Sequence, residues 1–533
     1  MQMHSSDTDV LIVGAGPSGL MMACQLALRN IAFRIIDKKD RYTNYSGALI
    51  LQARSIEILQ QMGIAHKAIG EGIFANEIRL IFSGKKSFML PMKNFAPELT
   101  RFPGLLMVEQ SVTEQLLIGF IQDYGLSVER GVVLEQFSQD SDRVTSVLIS
   151  AAGAVEIIRT KYLIGADGAH STVRKQLQIP FTGKSWPISL FVTDCKAHVE
   201  IPPDQMCFSF SASATTGFFP LRGNRWRIDG VIPGDHDLKK GLTFNDISEG
   251  FSERTCVNAT LSEPEWFSVF RQHDRYAEKF QADRCFLMGD AAHIHSPVGA
   301  QGMNTGLQDA YNLSWKLALV IQKKVIPSIL DSYSIERVLV ARRVVRATGQ
   351  VFNLMTSRSF PVTVFRIYAL PAILYLLFPL MLKTKGLRHF FFRRISQIGI
   401  NYRQSFLSRQ ATRGKFPFHA PKPGERLPYI LYNEQDKVVN IQEKIGGNDF
   451  HLFIFSKQVL PGKILKVAEK YSGLISIESI PFTEGTSIVY QRLGIKNDGV
   501  YLIRPDLYIA YRSVLPDSEH FENYLRKFAE RKP

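Results

Sequence analysis

A short apolar run that leads straight into three regularly spaced glycines constrains this chain more than any other feature. The run ends at Val13, and the glycines that follow in GxGxxG spacing are Gly14, Gly16 and Gly19. Such glycines allow a tight turn from strand to helix, close packing of that helix and close approach of a pyrophosphate. Asp37 follows 18 residues after Gly19, where a second strand should end and an acid can bind a ribose hydroxyl. The pattern predicts a βαβ opening that binds a dinucleotide, without separating FAD from NAD.

Two later stretches add candidate binding residues. "YLIGADGAH" ends a predicted buried strand at the pair Asp167 and Gly168. "RCFLMGDAAHIHSPVGAQGMN" contains Gly289 and Asp290, then a loop of small residues, and it leads into a helix with apolar periodicity. The first N–H groups of a helix have no partner within the helix, so they can hold an electron-rich group. We expect a second binding element at this loop.

The succession of elements predicts several regions within the 533 residues. Strand-rich sequence interrupts the opening domain, which resumes at "RCFLMGDAAH", and a proline-punctuated stretch precedes a C-terminal α/β domain. The predicted regions are 1–179 and 277–350 for the two parts of the dinucleotide-binding domain, with an excursion near 76–100 toward the second sheet, 180–276 for an inserted mixed or antiparallel β-sheet domain, 351–415 for a basic apolar helical segment, and 425–533 for the C-terminal domain.

The net charge of +15 comes from one part of the chain. Sixteen lysines and arginines and no acidic residue lie within 337–422, so the rest of the chain carries about −1. The apolar stretch Phe360–Leu382 lies inside this segment, but Arg366, Pro371 and Pro379 interrupt it, and a spanning helix needs about 20 apolar residues. Two interpretations remain open: a buried linker helix pair with a solvated basic face, or a segment that lies on an anionic membrane surface. No nucleic-acid motif accompanies the charge, so nucleic acid is not an expected partner.

Cysteine usage indicates a reducing compartment. The five cysteines are an odd number, scattered, and none forms CxxC, which argues against a disulfide framework and against a cysteine metal site. The first apolar run is strand-sized and no signal-peptide pattern opens the sequence. We therefore expect a cytoplasmic protein, with peripheral membrane contact through 337–422 and a homodimer as open possibilities.

The three motifs, in this order, resemble those of the single-component (class A) flavoprotein aromatic hydroxylases, the group of para-hydroxybenzoate hydroxylase and phenol hydroxylase. "GVYLIRPDLYIAYRS" near the end is similar to the C-terminal domain of the phenol-hydroxylase branch. The resemblance implies an α/β fold: an FAD-binding Rossmann-like domain of the glutathione-reductase type, an inserted mixed β-sheet substrate domain and a thioredoxin-like C-terminal α/β domain.

The resemblance also implies an activity. NADPH or NADH reduces FAD, O2 adds at the flavin C4a, and the resulting hydroperoxide hydroxylates a phenolic or other electron-rich aromatic substrate. The alternative is a membrane-surface flavin monooxygenase or oxidoreductase that acts on a lipid-soluble quinone, polyketide or drug-like compound. Isolated tryptophans argue against a flavin halogenase, and the intact Asp167 and Asp290 motifs argue against an inactive flavin-fold binding protein.

Roles for individual residues follow from the same resemblance. The loop Pro297–Asn304 is expected along the flavin ring, the helix after it at the ring's N1–C2 edge, and Asp290 on the ribityl chain. Where many relatives have an arginine in a stretch like "SRALGL", this chain has "SGALIL" with Gly47, so the flavin or nicotinamide contact of that arginine is expected either to be lost or to come from Arg54. The expected cofactor-binding residues are Gly14, Gly16, Pro17, Ser18, Gly19, Asp37, Lys38, Arg54, Gln110, Asp167, Gly168, Gly289, Asp290, Pro297, Gly302, Met303 and Asn304.

Candidate substrate and catalytic residues come from the strand-rich region and from the loop. Strand side chains alternate between faces, so only some of its aromatic residues can line a pocket. The candidates are Phe208, Phe210, Phe219 and Trp226, with Phe218 and Arg227 beside them. His295 and Pro297 are the catalytic candidates, although neither is assigned as a base. His293 and His295 lack ligand-spaced partners, so no metal site is expected.

Overall fold

A computed structural model describes residues 5–42, 47–84, 86–211, 215–232, 241–357, 359–411, 414–457, 462–514 and 517–529. Two cations of the basic segment, Arg358 and Arg413, lie outside these residues. Two eight-stranded sheets and one five-stranded sheet organise the described chain, and helices cover them.

The strands are β1 (Ser5–Val13), β2 (Phe33–Asp37), β3 (Ile50–Leu51), β4 (Ile73–Ala75), β5 (Glu77–Phe82), β6 (Lys86–Pro91), β7 (Leu105–Met107), β8 (Glu129–Arg130), β9 (Val132–Gln139), β10 (Val144–Ser150), β11 (Val155–Gly165), β12 (Phe181–Val199), β13 (Gln205–Phe210), β14 (Thr215–Leu221), β15 (Arg225–Val231), β16 (Ala259–Ala277), β17 (Gln281–Ala282), β18 (Cys285–Leu287), β19 (His293–Ile294), β20 (Arg409–Gln410), β21 (Leu431–Glu434), β22 (Lys437–Asn440), β23 (Phe450–Ser456), β24 (Ile475–Pro481), β25 (Gly499–Ile503) and β26 (Ile509–Ser513).

The α-helices are α1 (Pro17–Ala27), α2 (Ala53–Gln61), α3 (Ala65–Glu71), α4 (Gln110–Gln122), α5 (Thr172–Gln176), α6 (Phe244–Ser248), α7 (Phe251–Thr255), α8 (Gly302–Ile321), α9 (Asp331–Thr356), α10 (Phe360–Val364), α11 (Leu370–Lys383), α12 (Lys385–Ile395), α13 (Gly462–Lys470), α14 (Ser487–Leu493) and α15 (Ser518–Leu525). Short 3-10 turns occupy Gly289–Ala291, Pro327–Leu330 and Ile441–Lys444, and a π-helical turn occupies Phe365–Ala369.

The first sheet has a parallel core in the order β8–β2–β1–β11–β18. The apolar run Val10–Val13 forms its central strand and is buried, as expected for a parallel strand covered on both faces. Helix α1 follows directly and packs against α4 and α8. It begins at Pro17, where proline is favoured because the first N–H of a helix has no intrahelical partner. This arrangement confirms the predicted Rossmann-like opening.

The second sheet has the order β19–β16–β12–β15–β14–β13–β5–β6 and is mixed, since β5 and β13 run parallel while the other pairs run antiparallel. Strands β5 and β6 come from the early part of the chain and extend the sheet built by 180–277. We call the face covered by α6 and α7 the back face: Phe218 packs there on Phe251, with ring centroids 5.8 Å apart. The front face, which carries Phe219, turns toward the first domain.

The C-terminal sheet has the order β24–β23–β25–β26–β20. A parallel β23–α13–β24 unit is followed by α14, an antiparallel β25–β26 hairpin and α15, which is the thioredoxin-like topology predicted for this region. Strand β20, before residue 425, joins the same sheet beside β26. The region contains no cysteine, so it has the topology without the redox pair.

The basic segment forms helices whose apolar side chains are exposed. From Phe360 to Lys383 the helix is continuous, and by length and composition it could cross a membrane. Its most apolar 18-residue window has a mean hydropathy of 1.8, and only 22% of the residues in that window are buried. The interpretation as a buried linker pair is therefore wrong. The expected interruptions are also absent: a π-helical turn precedes Pro371 and accommodates its missing N–H, and Arg366 turns inward to donate to backbone carbonyls that include Met355 O.

Candidate active site

The glycine loop between β1 and α1 combines two packing glycines with one that faces open space. Gly14 has φ +102°, and a Cβ added there would lie 2.3 Å from Ala166 O. A Cβ on Gly19 would lie 1.9 Å from Gly14 O, so α1 can start this close to the strand only with glycine at that position. At Gly16, in contrast, an added Cβ would meet no atom of the described residues within 4 Å. The loop therefore leaves room for a group at Gly16.

Asp37 lies beside this loop and fastens it. One carboxylate oxygen accepts a hydrogen bond from Ala15 N at 2.7 Å, and the other accepts one from Lys39 N at 2.9 Å. Each oxygen keeps a further lone pair that a ribose hydroxyl could use. The neighbouring Lys38 is exposed.

Asp167 supplies a buried polar atom without a partner. Its Oδ2 accepts hydrogen bonds from Thr172 N and Val173 N at the start of α5, at 2.6 and 3.2 Å. Its Oδ1 is buried and has no hydrogen-bond partner in the described chain. Buried polar atoms are almost always paired, so this oxygen is suited to a ligand that donates a hydrogen bond. Gly168, next to it, has φ +81° and no protein atom within 4 Å of an added Cβ.

The turn Gly289–Ala291 brings Asp290 to the same region. Cβ atoms added at Gly289 and Gly306 would lie 2.3 and 2.2 Å from Ser18 Oγ, so the Ser18 hydroxyl fills the space that these two glycines leave. The residues on both sides of Asp290 are buried, while Asp290 itself is exposed. An exposed carboxylate within a buried run indicates that it faces a groove.

The carboxylate of Asp309 holds this turn in place, and sequence reasoning missed it. Asp309 Oδ2 accepts hydrogen bonds from Gly289 N at 3.1 Å and pairs with His293 Nε2 at 2.7 Å. Asp309 Oδ1 pairs with Arg337 Nε at 2.6 Å. The Arg337 guanidinium holds the pKa of the Asp309 carboxyl below its usual range, against the opposing effect of burial. His293 is therefore a structural residue, and in the described chain no group of His, Cys, Asp or Glu has a metal-binding arrangement.

The loop between β19 and α8 is a turn whose backbone faces the second sheet. Ala300 N donates to Pro297 O at 2.9 Å, and Gly299 and Ala300 both have positive φ, +77° and +52°. Gln301 precedes α8 without a side-chain cap, and Gly302 and Met303 in the first turn are only half-buried. The start of α8 thus presents backbone N–H groups to the groove.

Asn304 has a different role from the expected one. Its Oδ1 accepts a hydrogen bond from Gln52 N at 2.8 Å, and its Nδ2 donates to Ile50 O and Ala300 O, both at 2.8 Å. The buried side chain thus connects β3 to the loop. Its hydrogen-bonding groups are used by the protein rather than facing the groove, which differs from the predicted cofactor contact.

His295 lies between the turn and the start of α8. Its Nδ1 is 3.0 Å from Ser296 O, and its Nε2 is buried with no hydrogen-bond partner among the described residues. A Cβ on Gly302 would lie 3.8 Å from its ring. Burial lowers the pKa of His295 to about 4, so the ring is neutral at neutral pH.

The structure corrects the expectation for Arg54. Its guanidinium is buried, pairs with Glu57 Oε2 at 3.2 Å and donates to Asp506 O of the C-terminal domain at 2.7 Å. It therefore belongs to a domain interface. The stretch at Gly47 is held instead by Gln110, whose Oε1 accepts from Ala48 N at 3.0 Å, and by Arg227 Nη1, 3.3 Å from Ala48 O.

The predicted substrate residues divide between the two faces of the second sheet. Phe208 and Phe219 meet edge to face on the front, with centroids 5.5 Å apart, in an apolar cluster that includes Leu49, Ile50 and Ala300. Trp226 lies in the back-face cluster with Phe218, so its assignment to the pocket is wrong.

Phe210, also predicted as a pocket residue, is buried at the end of its strand. It stacks on Phe82, with ring centroids 5.2 Å apart.

Two further polar groups lie on the front face. Arg227 forms a buried bidentate pair with Asp194, with both distances 2.7 Å, and Trp266 Nε1 also donates to Asp194. Asp229 is half-buried two residues further along β15, and burial raises its pKa to about 6. Sequence reasoning named Arg227 but missed Asp229, whose signal was its position two residues from Arg227 in an alternating strand.

The turn Pro297–Ala300 connects the groove suited to a dinucleotide, through the start of α8, with the aromatic front face of the second sheet. This arrangement is typical of a flavoprotein hydroxylase. The FAD binding domain family matches residues 7–348, and the chain belongs to this family, in its group of aromatic monooxygenases. It is an FAD-dependent monooxygenase that uses NADPH or NADH as co-substrate. The predicted family, fold, enzyme class and cofactor are thus confirmed.

Several known proteins are similar over most of the chain. The 6-methylpretetramide 4-monooxygenase of Streptomyces rimosus is 29% identical over 96% of this chain and 91% of its own length. The rifampicin monooxygenase of Streptomyces venezuelae is 33% identical over 68% of this chain and 74% of its own. Among solved structures, the anhydrotetracycline hydroxylase OxyS from Streptomyces rimosus aligns with a TM-score of 0.77 and 26% identity, over 99% of this chain and 100% of that one.

Proposed function

We propose that the protein hydroxylates a phenolic or other electron-rich aromatic compound, at the space between the front face of the second sheet and the turn Pro297–Ala300. The observation that carries this proposal is the cluster in which Phe208 and Phe219 pack with Ala300 of that turn. In this cluster the two aromatic rings and a residue of the loop before α8 belong to one apolar surface. Relatives named for anhydrotetracycline and for pentachlorophenol support an aromatic substrate.

Each part of the groove would hold one part of FAD. The open space at Gly16 fits the pyrophosphate, and Asp37 is placed for a ribose hydroxyl. The unpaired Oδ1 of Asp167 and the exposed carboxylate of Asp290 offer acceptors for hydroxyl groups. Free N–H groups at Gly302 and Met303 would stabilise negative charge at the ring edge. Lys38, Pro17 and Ser18 complete the proposed contacts, with Gln110 from α4.

Bound FAD supplies the redox chemistry between NAD(P)H and O2. The chain's own contribution is orientation and exclusion of water. The apolar front face and the turn enclose the substrate ring, and the neutral His295, with its unpaired Nε2, would accept or donate one hydrogen bond there. Pro297 fixes the backbone of the turn through its restricted φ.

The test is oxidation of NADPH and of NADH by FAD-loaded protein, in aerated buffer, with a panel of phenols and with product detection. We expect one phenol class to raise the rate and to yield one hydroxylated product per reduced nucleotide. The Asp290→Ala variant should retain less FAD than wild type. The Asp142→Ala variant, which changes an exposed aspartate between β9 and β10, should retain as much FAD as wild type. Absence of stimulation by any aromatic compound would contradict the proposal.

A second candidate function is hydroxylation at a membrane surface, and one observation favours it. On the helix Phe360–Lys383 the side chains of Tyr375 and Leu376 are 77% and 72% exposed, and Phe360 is 80% exposed. Cations including Lys385 and Arg394 flank this surface. An exposed apolar face beside cations fits the interface of an anionic membrane. In this proposal the protein is cytoplasmic and peripheral, and its substrate is lipid-soluble.

Sedimentation with vesicles tests this candidate. We expect binding to vesicles that contain phosphatidylserine at low salt, weaker binding at high salt, and loss of binding in Leu376→Glu. Leu431→Glu, an exposed leucine on β21, is the matched control. If the protein instead forms a dimer that Leu376→Glu dissociates, the face is an interface between two copies and the membrane proposal is overturned.

A further inference from the structure

The carboxylate of Asp229, on the front face of the second sheet, is not among the proposed contacts to FAD. In β15 the side chains of Arg227, Asp229 and Val231 share one face, and Gly217 of β14 lies directly opposite Asp229. A Cβ added to Gly217 would lie 2.5 Å from Asp229 Oδ1 and 2.7 Å from the ring of Phe219. The carboxylate therefore extends over this glycine, beside the Phe219 ring, on the front face.

The residues around Asp229 show what this carboxylate faces. On one side of it, Val231 and Leu190 share an apolar cluster with Val298. On its other side, Phe219 shares a cluster with Ala300. Val298 and Ala300 belong to the same turn, the one that precedes α8. Asp229 thus lies between two points at which the sheet meets this turn, and it is half-buried there.

The charges near Asp229 leave its carboxylate available. Arg227, on the same strand and face, is bound through two hydrogen bonds to Asp194 of β12, so its charge is already matched. Apart from Asp194, which is paired with Arg227, the neighbouring front-face residues of β14 and β12 carry no charge, and neither does the turn Pro297–Ala300. These uncharged residues are Thr215, Gly217, Phe219, Leu190 and Val192. Burial dominates, and it raises the pKa of Asp229 to about 6, against the opposing effects of Arg227 and of a hydrogen bond from the backbone of Gly217.

We propose that Asp229 accepts the proton of the hydroxyl group of a phenol or enol substrate bound between this sheet face and the turn. The inference rests on the proposed function and adds to it the proton acceptor and a substrate class. Because a second carboxylate would be repelled and Arg227 is already paired, the site selects a neutral hydroxylated ring over an aromatic acid.

The step balances within the known reaction. The substrate O–H bond breaks, the proton passes to a carboxylate oxygen of Asp229, and the electron pair stays on the substrate oxygen. The electron density of the ring carbon next to or opposite that oxygen rises, which favours its reaction with an electrophilic oxygen. After oxygen transfer that carbon loses its hydrogen as a proton, which leaves in the water formed from the second oxygen atom of O2, and the proton held by Asp229 returns to the original substrate oxygen as the ring becomes aromatic again. NAD(P)H and O2 supply the electrons and the oxygen atom.

The experiment compares wild type and Asp229→Asn on phenols of graded acidity at pH 8. Asparagine keeps the size of aspartate and one hydrogen-bond acceptor, but it cannot accept the proton. On an unsubstituted phenol we expect hydroxylation about 100-fold slower than in wild type, the lower range of general-base effects. On a nitrophenol that is already ionised at this pH, and that the wild-type carboxylate repels, the variant should hydroxylate at least as fast as wild type. Glu265→Gln removes an exposed carboxylate of the same sheet, paired with Arg225, and should behave as wild type.

A pH profile is the second readout. Wild-type hydroxylation of a neutral phenol should fall as the pH drops below about 6, where Asp229 becomes protonated, while the residual rate of Asp229→Asn should not show this step. FAD content and melting temperature establish that the variant is folded and loaded.

The outcomes separate the two proposals. If wild type hydroxylates phenols and Asp229→Asn does so equally well, the inference is overturned while the proposed function stands. If the loaded variant is slow on the nitrophenol as well, Asp229 acts by shaping the site and the proton transfer is overturned. If wild type hydroxylates no phenol or enol, the proposed function is overturned, and the inference about Asp229 is overturned with it. Preference of wild type for benzoates over phenols would overturn the substrate class.

Discussion

Arg504, on the C-terminal domain, donates hydrogen bonds to both carboxylate oxygens of Glu336 on α9, at 2.6 and 3.0 Å. Lys316 Nζ of α8 lies 2.9 Å from Glu336 Oε2, and Arg504 also pairs with Asp506. The side chains of this cluster are fully or almost fully buried. Two cations and two anions therefore join the C-terminal domain to the two helices that follow the candidate active site.

Glu336→Gln should destabilise the protein by about 3–5 kcal/mol, because it leaves two buried cations with only one carboxylate. Urea unfolding measures the change. Glu522→Gln, which removes a carboxylate from the mostly exposed pairs with Lys470 and Arg526, should cost no more than about 1 kcal/mol. Equal effects of the two substitutions would contradict the prediction.

Gly16→Ala should separate cofactor binding from folding. Since an added Cβ would meet no protein atom, the apoprotein should keep its stability, while the affinity for FAD should fall at least tenfold, about 1.4 kcal/mol. Flavin fluorescence titration gives the affinity. Gly119→Ala on α4, where a Cβ also meets nothing, serves as the control and should leave FAD binding unchanged. Normal FAD affinity in Gly16→Ala would place the pyrophosphate elsewhere.

Asp309→Asn should lower both the stability of the protein and its FAD content. It leaves the buried Arg337 without its counter-ion, at a cost of about 3–5 kcal/mol, and weakens the anchor of the Gly289–Asp290 turn. We expect a lower melting temperature and a lower FAD content at temperatures where the variant is folded. Glu336→Gln is the comparison: a similar loss of stability with normal FAD content would show that the second effect of Asp309→Asn is local.

His295 should make the apoprotein less stable in acid. Its pKa is about 4 in the folded protein and about 6.5 when unfolded, so between these values the unfolded chain binds a proton that the folded chain does not. Stability is therefore lost as the pH falls from about 6.5 to 4, by up to about 3 kcal/mol. Unfolding free energies of His295→Gln at pH 7 and pH 5 should differ less than those of wild type. His66→Gln, on an exposed helix position, should retain the wild-type difference.

The dinucleotide-binding opening was predictable because its causes are local. Gly14 and Gly19 have no alternative to glycine once a strand must turn into a helix within a few residues, and the apolar run before them can only be a buried strand. The order of the three motifs then indicated the family. Asp290 and Asp167 were identified by the same motifs, and their exposure and unpaired oxygen agree with a ligand-facing position.

Other residues could not be assigned because their partners are distant along the chain. Arg54 was expected at the cofactor, but its partner Asp506 lies in another domain, and no local pattern reveals that pairing. Strand alternation separated Phe218 from Phe219 without showing which face turns toward the groove, so Trp226 was placed on the wrong side. The exposed helix Phe360–Lys383 shows the same limit, since an apolar sequence indicates burial but not what covers it.

The cluster of Lys316, Glu336, Arg504 and Asp506 has a consequence for engineering. These four residues have to be exchanged together. A chimera that takes its C-terminal domain from another hydroxylase must keep a matching charge at each of these positions, because otherwise one buried ion loses its partner. A deletion that removes Arg504 and Asp506 would leave Lys316 and Glu336 without their partners from the C-terminal domain.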